Sequence, residues 1–470
     1  MSFEGINSVH LLGIGGIGMS ALARWFRHEG FAVSGYDRTP SSLTDQLIAE
    51  GMQVSFEDKL ETIPNMIKDS PEKALIIWTP AMPKGSVQLN FFQENGFQFK
   101  KRSEVLGMVT SAYYTIAVAG THGKTTTSSM IAHMLKSAGK PVVAFLGGIT
   151  QNYQSNLILG DKKSKEPALV VVEADEFDRS FLRLHPNEIV LTSADPDHLD
   201  IYGDEQHILD GYLEFVHLVD KKGRVYIQQF ATQRLGGGRL PKVVTREYGL
   251  RSSGIHAENI QARPGSFVFD YLDGKNEIKG LELFIPGFHN VENALAAIAI
   301  ALDHEILVEQ IRKGISSFKG VKRRFEIHLN EGNHVFIDDY AHHPEEIKAC
   351  LSSVRAMFPT KKLTVVFQPH LYTRTRDFAK GFSESLSLAD SVFLLDIYPA
   401  RELPIEGVTS AMLLAGINTD HKELVAKENL MSHLDRASTE VLVTLGAGDI
   451  DRLVPGIATW MKEGLNRFAS

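Results

Sequence analysis

Residues 120–126 have the sequence GTHGKTT and stand between a short apolar segment and an amphipathic one. The segment TIAVA before the loop is typical of a buried strand, and SSMIAHMLKSAG after it is typical of a helix. A strand, a glycine-rich turn with Lys-Thr and a helix predict a phosphate-binding loop, in which backbone N–H groups surround phosphate oxygens. The loop is shorter than the common GxxxxGKT pattern, because Val118 stands where that pattern has its first glycine. We expect Lys124 to neutralise the outer phosphates of a nucleotide and the Thr125 hydroxyl to ligate Mg²⁺.

Short apolar segments alternate with longer amphipathic ones along the chain, which predicts an α/β fold of parallel sheets with crossover helices. The expected strands are 9–12, 33–36, 74–78, 114–119, 224–228, 335–337, 362–367, 391–396 and 440–445. A length of 470 residues corresponds to about three domains. We place them as an N-terminal Rossmann-like domain (1–107), a central P-loop ATPase-type domain (108–321) and a C-terminal Rossmann-like domain (322–470).

Composition excludes several classes of protein. The formal net charge of −8 does not fit a general nucleic-acid binder. The single cysteine, Cys350, excludes an internal disulfide and a multi-cysteine zinc site. No apolar run approaches the roughly 18 residues of a membrane span, and Glu4 stands where a signal peptide carries positive charge. We expect a cytoplasmic protein without nucleic-acid or membrane partners.

The sequence GIGGIG follows the first predicted strand and opens a predicted helix. In a GxGxxG pattern of this kind the glycines let the backbone approach a pyrophosphate, and the helix N-terminus supplies N–H groups. Asp37 ends the next predicted strand, 19 residues after Gly18. The pattern supports a diphosphate at Gly15, Gly16, Ile17 and Gly18. Taken alone it fits NAD, another nucleotide, or a tight turn without a ligand.

Acidic residues follow the next predicted strand of the central domain. Glu173, Asp175 and Glu176 stand in the sequence EADE after the run VVV, where a P-loop protein places an acid that reaches Mg²⁺. The sequence SADPDHLD after the strand EIVLT contains His198. This histidine is either a second metal ligand or a hydrogen-bonded structural residue.

Polar clusters also follow strands in the last third of the chain. Arg324 lies in the run KRR near the predicted boundary, a kind of run that is usually a solvated face. Asp339 and His342 follow the strand VFI in the sequence DDYAHHP, and Arg374 lies in FQPHLYTRTR after another strand. The C-terminal ends of strands are where open α/β sheets bind ligands, and arginine can bind a carboxylate or phosphate through two hydrogen bonds.

Together these segments resemble the Mur ligases of bacterial cell-wall synthesis, over essentially the whole chain. The motifs occur in the order GIGGIGMSALA, GTHGKTTT, EADEFDRSFL, HNVENALAA, GVKRRFE, DDYAHHPEE, FQPHLYTRTRDF, IYPARE and GAGDI. The segments DDYAHHP, FQPHLYTRTRDF and IYPARELPIEGV narrow the resemblance to the branch that adds L-alanine to UDP-N-acetylmuramate. The recycling branch, which adds a tripeptide to the same sugar nucleotide, is the rival within this chemistry.

The resemblance implies a role for each candidate residue and makes the N-terminal glycine turn a site for UDP diphosphate rather than NAD. The expected ATP contacts are Gly120, Thr121, His122, Gly123, Lys124, Thr125, Thr126, Asn293, Arg324 and Asp339. The expected Mg²⁺ ligands are Thr125, Glu173 and His198. The expected substrate contacts are Gly15, Gly16, Ile17, Gly18, Asp37, Asp175, Glu176, His342 and Arg374. The expected catalytic residues are Lys124, His198, His342 and Arg374.

Leu371 departs from the family pattern, because some members carry a basic residue at this position. If that residue binds a carboxylate in those members, Arg374 or Arg376 takes the role here.

The third domain would close over the site and bind the amino acid.

The implied reaction is ATP-dependent amide ligation through an acyl phosphate, with L-alanine and UDP-N-acetylmuramate as substrates and ATP and Mg²⁺ as cofactors. We expect a monomer or a weak homodimer.

Two alternative functions come from other classes of protein. A nicotinamide-dependent dehydrogenase would explain GxGxxG but not the phosphate loop, and a non-enzymatic ATP switch would need no sugar nucleotide.

Overall fold

The computed structural model describes residues 3–160, 166–196, 202, 204–400, 402–436 and 438–466. These residues form two compact units. The first comprises the chain up to residue 256 together with 273–275 and 293–314, and the second comprises 257–272, 276–292 and the chain from 315 onward. Among the described residues, no helix combines the length and the apolar character that crossing a membrane requires.

The first sheet of the first unit has five parallel strands in the order β3-β2-β1-β4-β5. The strands are β1 (Ser8–Leu12), β2 (Ala32–Tyr36), β3 (Gln53–Ser55), β4 (Ala74–Trp78) and β5 (Gln98–Lys101). Every residue of β1 is buried, as expected for a central strand with helices on both faces. The chain reverses its direction of strand addition at β1, so the crevice beyond its C-terminal end is the place where such sheets bind ligands.

The second sheet of this unit has seven strands in the order β12-β11-β10-β6-β9-β7-β8. The strands are β6 (Tyr114–Ala119), β7 (Val142–Thr150), β8 (Ser155–Ile158), β9 (Leu169–Glu173), β10 (Glu188–Leu191), β11 (Arg224–Gln228) and β12 (Val244–Tyr248). All pairs are parallel except β7 and β8. Because β6 lies between β9 and β10, the segments that follow these three strands emerge at one edge of the sheet.

The helix Ile17–His28 connects the two sheets of the first unit. It packs against β7 and β8, and its buried residues include Met19, Leu22, Trp25 and Phe26, the three- and four-residue spacing of an apolar helix face. The rings of Trp25 and Phe145 lie 6.2 Å apart between centroids. The helix after the first glycine turn is therefore fixed against the sheet that carries the phosphate loop.

The second unit contains two sheets. One has three strands in the order β13-β14-β15, with β14 and β15 antiparallel. Its strands are β13 (His256–Arg263), β14 (Ser266–Leu272) and β15 (Glu277–Leu283). The other has six strands in the order β16-β17-β21-β18-β19-β20, parallel except for β16. Its strands are β16 (Glu326–Glu331), β17 (His334–Asp339), β18 (Leu363–Phe367), β19 (Ser391–Leu394), β20 (His421–Leu424) and β21 (Val441–Leu445).

Helices join these strands as crossovers. The α-helices are Ile17–His28, Ser42–Ala49, Asn65–Lys68, Val87–Glu94, Arg102–Ala112, Lys124–Ser137, Glu205–Val216, Gln229–Leu235, Phe288–Asp303, Val308–Ser317, Pro344–Met357, Tyr372–Asp377, Ala379–Leu386, Ser410–Gly416, Leu430–His433 and Val454–Asn466. The 3₁₀ segments are Leu60–Thr62, Pro71–Lys73, Phe177–Arg183, Gly237–Arg239, Lys427–Asn429 and Asp449–Leu453.

The predicted α/β class and the predicted strands are confirmed, with ends that differ by at most two residues. The predicted boundary at 107 lies within the helix Arg102–Ala112, and the one at 321 follows the helix Val308–Ser317. The two domain boundaries themselves stay a prediction.

Candidate functional site

The loop after β6 has a backbone that only glycine adopts readily at two positions. Gly120 has φ +132° and Gly123 has φ +82°. A side chain at Gly120 would collide with the Thr192 hydroxyl and the Ser193 backbone, and a Cβ at Gly123 would lie 2.8 Å from Asn293 Oδ1. Gly123 precedes the helix Lys124–Ser137, whose first N–H groups have no partner within the helix. The loop is therefore built for close approach of an anion, with Asn293 beside it.

Lys124 lies at the centre of this loop. Its Nζ donates to the carbonyl oxygens of Gly120 (2.5 Å) and Thr121 (3.2 Å) and to Glu176 Oε1 (2.8 Å). Glu176 is 2% exposed, so the pair lies away from bulk water. Burial acts to lower the pKa of Lys124, but the negative charges of Glu176 and Glu173 outweigh it and raise the pKa. Lys124 is thus held as an ammonium group at neutral pH.

Thr125 and Glu173 form the adjacent pair of oxygen donors. The Thr125 hydroxyl donates to Glu173 Oε1 at 2.9 Å, and the other carboxylate oxygen accepts from the Gly147 backbone N–H at 2.8 Å. A hydroxyl and a carboxylate within hydrogen-bond distance, beside a phosphate loop, match the oxygen ligands that Mg²⁺ prefers. The residues present therefore fit this ion.

The segment after β10 contacts the same loop. Thr121 Oγ1 donates to the carbonyl oxygen of Asp195 at 2.6 Å, and the His122 backbone N–H donates to Ser193 Oγ at 2.7 Å. The His122 ring lies 3.9 Å from the Asp195 carboxylate. His198, the expected further metal ligand, lies outside the described residues, three positions beyond Asp195. Sequence reasoning singled out this segment for His198 and missed the hydroxyl of Ser193.

The first glycine turn is ordered by Asp37. The Gly15 backbone N–H donates to Asp37 Oδ2 at 2.8 Å, and the Thr39 backbone N–H donates to Oδ1 at 3.1 Å. A Cβ at Gly15 would lie 2.8 Å from both Asp37 Oδ2 and Thr44 Cγ2. In this structure Asp37, which follows β2, therefore fixes the shape of the glycine turn that precedes the helix Ile17–His28.

A cavity of about 180 Å³ joins this turn to the edge of the second sheet. Its lining includes Ile17, Gly18, Arg102, Phe145, Glu173 and Asp175. Arg102 Nη2 donates to Asp175 Oδ2 at 3.2 Å, and the Arg102 guanidinium also lies against Gly18. The predicted diphosphate turn and the predicted Mg²⁺ ligand Glu173 thus open into one space. Sequence reasoning missed Arg102, although it ends the basic run KKR, which begins within β5.

A separate polar cluster in the second unit contains Arg324 and Asp339. Asp339 accepts from the backbone N–H groups of Phe325 and Ala341, both at 2.7 Å. Burial raises the pKa of this carboxyl to about 6, and the nearby positive charge of Arg324 acts in the opposite direction. The Arg324 guanidinium lies 4.9 Å above the Tyr340 ring, within the range of a cation–π contact. The structure therefore brings Arg324 and Asp339 together at the C-terminal end of β17.

His342 lies in the same cluster. Its backbone N–H donates to Glu346 Oε2 at 2.9 Å, and its Nδ1 lies 3.0 Å from the Tyr340 carbonyl oxygen. The rings of His342 and His370 lie 6.2 Å apart between centroids, and His370 stacks on Tyr398. The histidine loop after β17 and the loop after β18 thus meet.

Arg374 and Arg376, the two candidates for carboxylate binding, differ in their surroundings. Arg374 is buried, at 8% exposed, in the helix that begins after Leu371. Arg376 is half-exposed and donates to Asp377 Oδ1 at 2.7 Å. Leu371 has φ +68° and places an apolar side chain before this helix. The local structure therefore favours Arg374 over Arg376 as a residue held in a fixed position.

Comparison with known proteins identifies three consecutive family models along the chain. The model described as Mur ligase family, catalytic domain, matches residues 8–114. The Mur ligase middle domain matches residues 118–301, and the Mur ligase glutamate ligase domain matches residues 323–450.

Individual relatives match over nearly the full length. UDP-N-acetylmuramate–L-alanine ligase of Christiangramia forsetii is 48% identical over 95% of this chain and 95% of the relative. The protein of the same name from Flavobacterium johnsoniae is 46% identical over 99% of this chain and 100% of the relative. The crystal structure of UDP-N-acetylmuramate–alanine ligase from Thermotoga maritima superposes with a TM-score of 0.79 at 26% identity, covering 98% of this chain and 99% of the other. The chain therefore belongs to the Mur ligase family.

Proposed function

We propose that this protein joins L-alanine to the lactyl carboxylate of UDP-N-acetylmuramate, with conversion of ATP to ADP and phosphate, as a step in the synthesis of peptidoglycan precursors. The relatives named for this activity support the proposal, because they match at 46–48% identity with 95% or more of each chain aligned.

The structural observation that carries the proposal is the cavity between the two sheets of the first unit. Gly18 and Arg102 on one side offer backbone N–H groups and a guanidinium to a diphosphate. Glu173 on the other side lies 2.9 Å from the Thr125 hydroxyl of the phosphate loop. A sugar nucleotide held at Gly18 would therefore extend its carboxylate toward the site of phosphoryl transfer.

The residues of the phosphate loop fit the first half of the reaction. The lactyl carboxylate attacks the γ-phosphorus of ATP, ADP departs, and the acyl phosphate that forms carries a leaving group that a free carboxylate lacks. Mg²⁺, held by Thr125 and Glu173 with His198 as the proposed further ligand, would neutralise negative charge on the phosphoryl oxygens. The Lys124 ammonium and the N–H groups of the loop stabilise the same charge from fixed positions.

The second half of the reaction needs an uncharged amine. The amino group of L-alanine attacks the acyl carbon, and phosphate leaves from the tetrahedral intermediate. We propose that His342 orients this amine or accepts its proton, and that Arg374 binds a carboxylate. Arg324 and Asp339 are proposed nucleotide contacts. All four roles rest on the family resemblance, and those of Arg324, Asp339 and His342 rest also on the cluster within the second unit.

The decisive experiment measures ADP release by the purified chain with ATP, Mg²⁺, UDP-N-acetylmuramate and one amino acid at a time. Release that requires both the sugar nucleotide and L-alanine is the expected result. Preference for a tripeptide would identify the recycling activity instead, and preference for glycine or serine would change the amino-acid substrate. ADP release without the sugar nucleotide would identify an ATP switch. Binding of NAD in a fluorescence titration would support the alternative function of a nicotinamide-dependent dehydrogenase.

The proposal also includes a cytoplasmic location and a monomeric or weakly dimeric state. Light scattering after size-exclusion chromatography, over a range of protein concentrations, tests the second of these.

A further inference from the structure

Three potential metal ligands meet at one end of the hairpin formed by β16 and β17, outside the phosphate-loop site. Glu326 on β16 pairs directly with Asp338 on β17. The register shifts between Ile327 and Leu329, so His328 is the extra residue of a bulge. Ligand atoms of Glu326, His328 and Asp338 all lie within 4.8 Å of one another. The geometry points to a binding site for a divalent transition-metal ion such as Zn²⁺, with these three side chains as its ligands.

The environment of the histidine supports this assignment. The Nε2 atom of His328 is shielded from solvent and has no hydrogen-bond partner among the described residues. It lies 3.8 Å from Glu326 Oε2, while the ring packs against Phe336 at 5.3 Å between centroids. A shielded ring nitrogen without a partner costs free energy, and a metal ion would supply the missing interaction. An imidazole between two carboxylates is a donor set that Zn²⁺ accepts.

The charged side chains at this end of the hairpin would favour binding of a cation. Two carboxylates directly opposite each other on paired strands repel. Arg323 compensates in part, because its Nε lies 3.3 Å from Asp338 Oδ2. One guanidinium against two carboxylates leaves a net negative charge, which a divalent ion would reverse.

The remaining contacts of the two carboxylates keep them in place. Asp338 Oδ1 accepts from the Thr444 hydroxyl at 2.6 Å, and Glu326 Oε2 accepts from the Arg323 backbone N–H at 2.8 Å. Asp338 Oδ2 also accepts from Arg323 Nε, so both carboxylates are held in fixed positions beside His328. Asp338 precedes Asp339 in the chain, so an ion here would stabilise the strand that carries a proposed nucleotide contact.

The test is metal binding by the full chain in the presence of excess Mg²⁺, independent of turnover. Wild type, His328→Gln and the control His334→Gln are titrated with ZnCl₂ by calorimetry and with CoCl₂ by visible absorption. His334 lies in the same hairpin, where its Nδ1 contacts the Thr439 carbonyl oxygen at 2.8 Å. We expect wild type and His334→Gln to bind equal numbers of Zn²⁺, and His328→Gln to bind one fewer and to lack one Co²⁺ absorption component.

Equal stoichiometry in wild type and His328→Gln would overturn the inference. Glu326→Gln provides a second variant if the first does not fold, with the same expected loss of one ion. Anomalous diffraction from wild-type crystals soaked in ZnCl₂ needs no variant. A peak between Glu326, His328 and Asp338 supports the site, and peaks only elsewhere contradict it.

Discussion

Lys124 Nζ lies 2.8 Å from Glu176 Oε1, so the lysine of the phosphate loop is paired with a buried carboxylate. Glu176 also accepts, through its backbone carbonyl, a hydrogen bond of 2.8 Å from the Tyr202 hydroxyl. The backbone of Glu176 is therefore anchored, and its carboxylate keeps Lys124 in position. This arrangement reduces the reorganisation needed when phosphate binds.

Glu176→Gln should lower kcat/KM for ATP by about 10- to 100-fold, since a hydrogen bond to a charged group contributes about 1.5–3 kcal/mol. Steady-state ADP release at varied ATP concentrations measures the effect. Glu205→Gln is the control, because Glu205 forms a half-exposed ion pair of 2.8 Å with Arg234. An exposed pair contributes at most about 1 kcal/mol, so the control should lose less than about fivefold. Equal kinetics for the two variants would contradict the role of Glu176.

The hydroxyl of Thr125 should determine the Mg²⁺ requirement. Thr125→Val keeps the shape of the side chain and removes the donor that lies 2.9 Å from Glu173 Oε1. We expect the Mg²⁺ concentration for half-maximal ADP release to rise at least about tenfold. Thr125→Ser retains a hydroxyl and should stay near wild type. The same Mg²⁺ dependence in both variants would remove Thr125 from the metal site.

The local part of this structure could be predicted from the sequence. The run TIAVA followed by GTHGKTT predicts β6, the loop and the helix Lys124–Ser137, because strand, turn and helix signals are all contained within a few residues. The position of Glu173 at the end of a buried strand could be predicted in the same way, because an uninterrupted apolar run precedes it. Its distance from Thr125 could be anticipated, since parallel neighbours place their C-terminal ends at one edge of the sheet.

Contacts between distant segments were not predictable in the same way. Arg102 reaches Asp175, 73 residues further along the chain, and no periodicity relates the two. Asn156 lies on β8, an antiparallel edge strand that the alternation of strands and helices does not anticipate. The metal-ligand cluster on β16 depends on a bulge at His328, and a bulge leaves no mark in the residue pattern. Tertiary packing decides these features.

Arg102→Met should weaken binding of the sugar nucleotide. The variant removes the guanidinium that lies against Gly18 and pairs with Asp175. Because charged hydrogen bonds contribute about 1.5–3 kcal/mol, we expect KM for UDP-N-acetylmuramate to rise about 10- to 100-fold with little change in KM for ATP. Arg27→Met is the matched control, since Arg27 is exposed and its Nη1 donates only weakly, at 3.3 Å, to the Gly51 carbonyl oxygen. A rise in both KM values would assign Arg102 a general structural role instead.

His10 should make stability depend on pH. The ring is 1% exposed on β1 and contacts Ser34 and Gln88, and burial lowers its pKa from 6.5 to about 4. Between these two pH values the unfolded chain binds more protons than the folded chain, so the free energy of unfolding falls as the pH falls. The stability that neutral His10 provides is therefore fully present above pH 6.5 and is lost as the pH falls to 4. The shift corresponds to about 3 kcal/mol. The difference in urea-unfolding free energy between wild type and His10→Gln should shrink by about this amount over that range. A pH-independent difference would refute the assignment.

Asn156 should act as a positioning residue for the first glycine turn. This fully buried side chain donates from Nδ2 to the Ile17 carbonyl oxygen (2.5 Å) and to Ser20 Oγ (2.9 Å), and its Oδ1 accepts from Arg24. Asn156→Ala removes one hydrogen-bond partner from each of these three groups, so we expect a lower urea midpoint, with a loss of about 1–3 kcal/mol.

If Asn156 had only a structural role, its substitution would lower stability without changing substrate binding. Because Ile17 begins the helix beside Gly18, we also expect KM for UDP-N-acetylmuramate to rise in Asn156→Ala while KM for ATP stays near wild type. Asn95→Ala is the control, since the Asn95 side chain is exposed and donates only to the Phe91 carbonyl oxygen, at 2.7 Å, within its own helix turn. Kinetic constants measured well below the unfolding temperature separate the two effects. Unchanged KM for the sugar nucleotide in a destabilised Asn156→Ala would leave Asn156 a structural residue only.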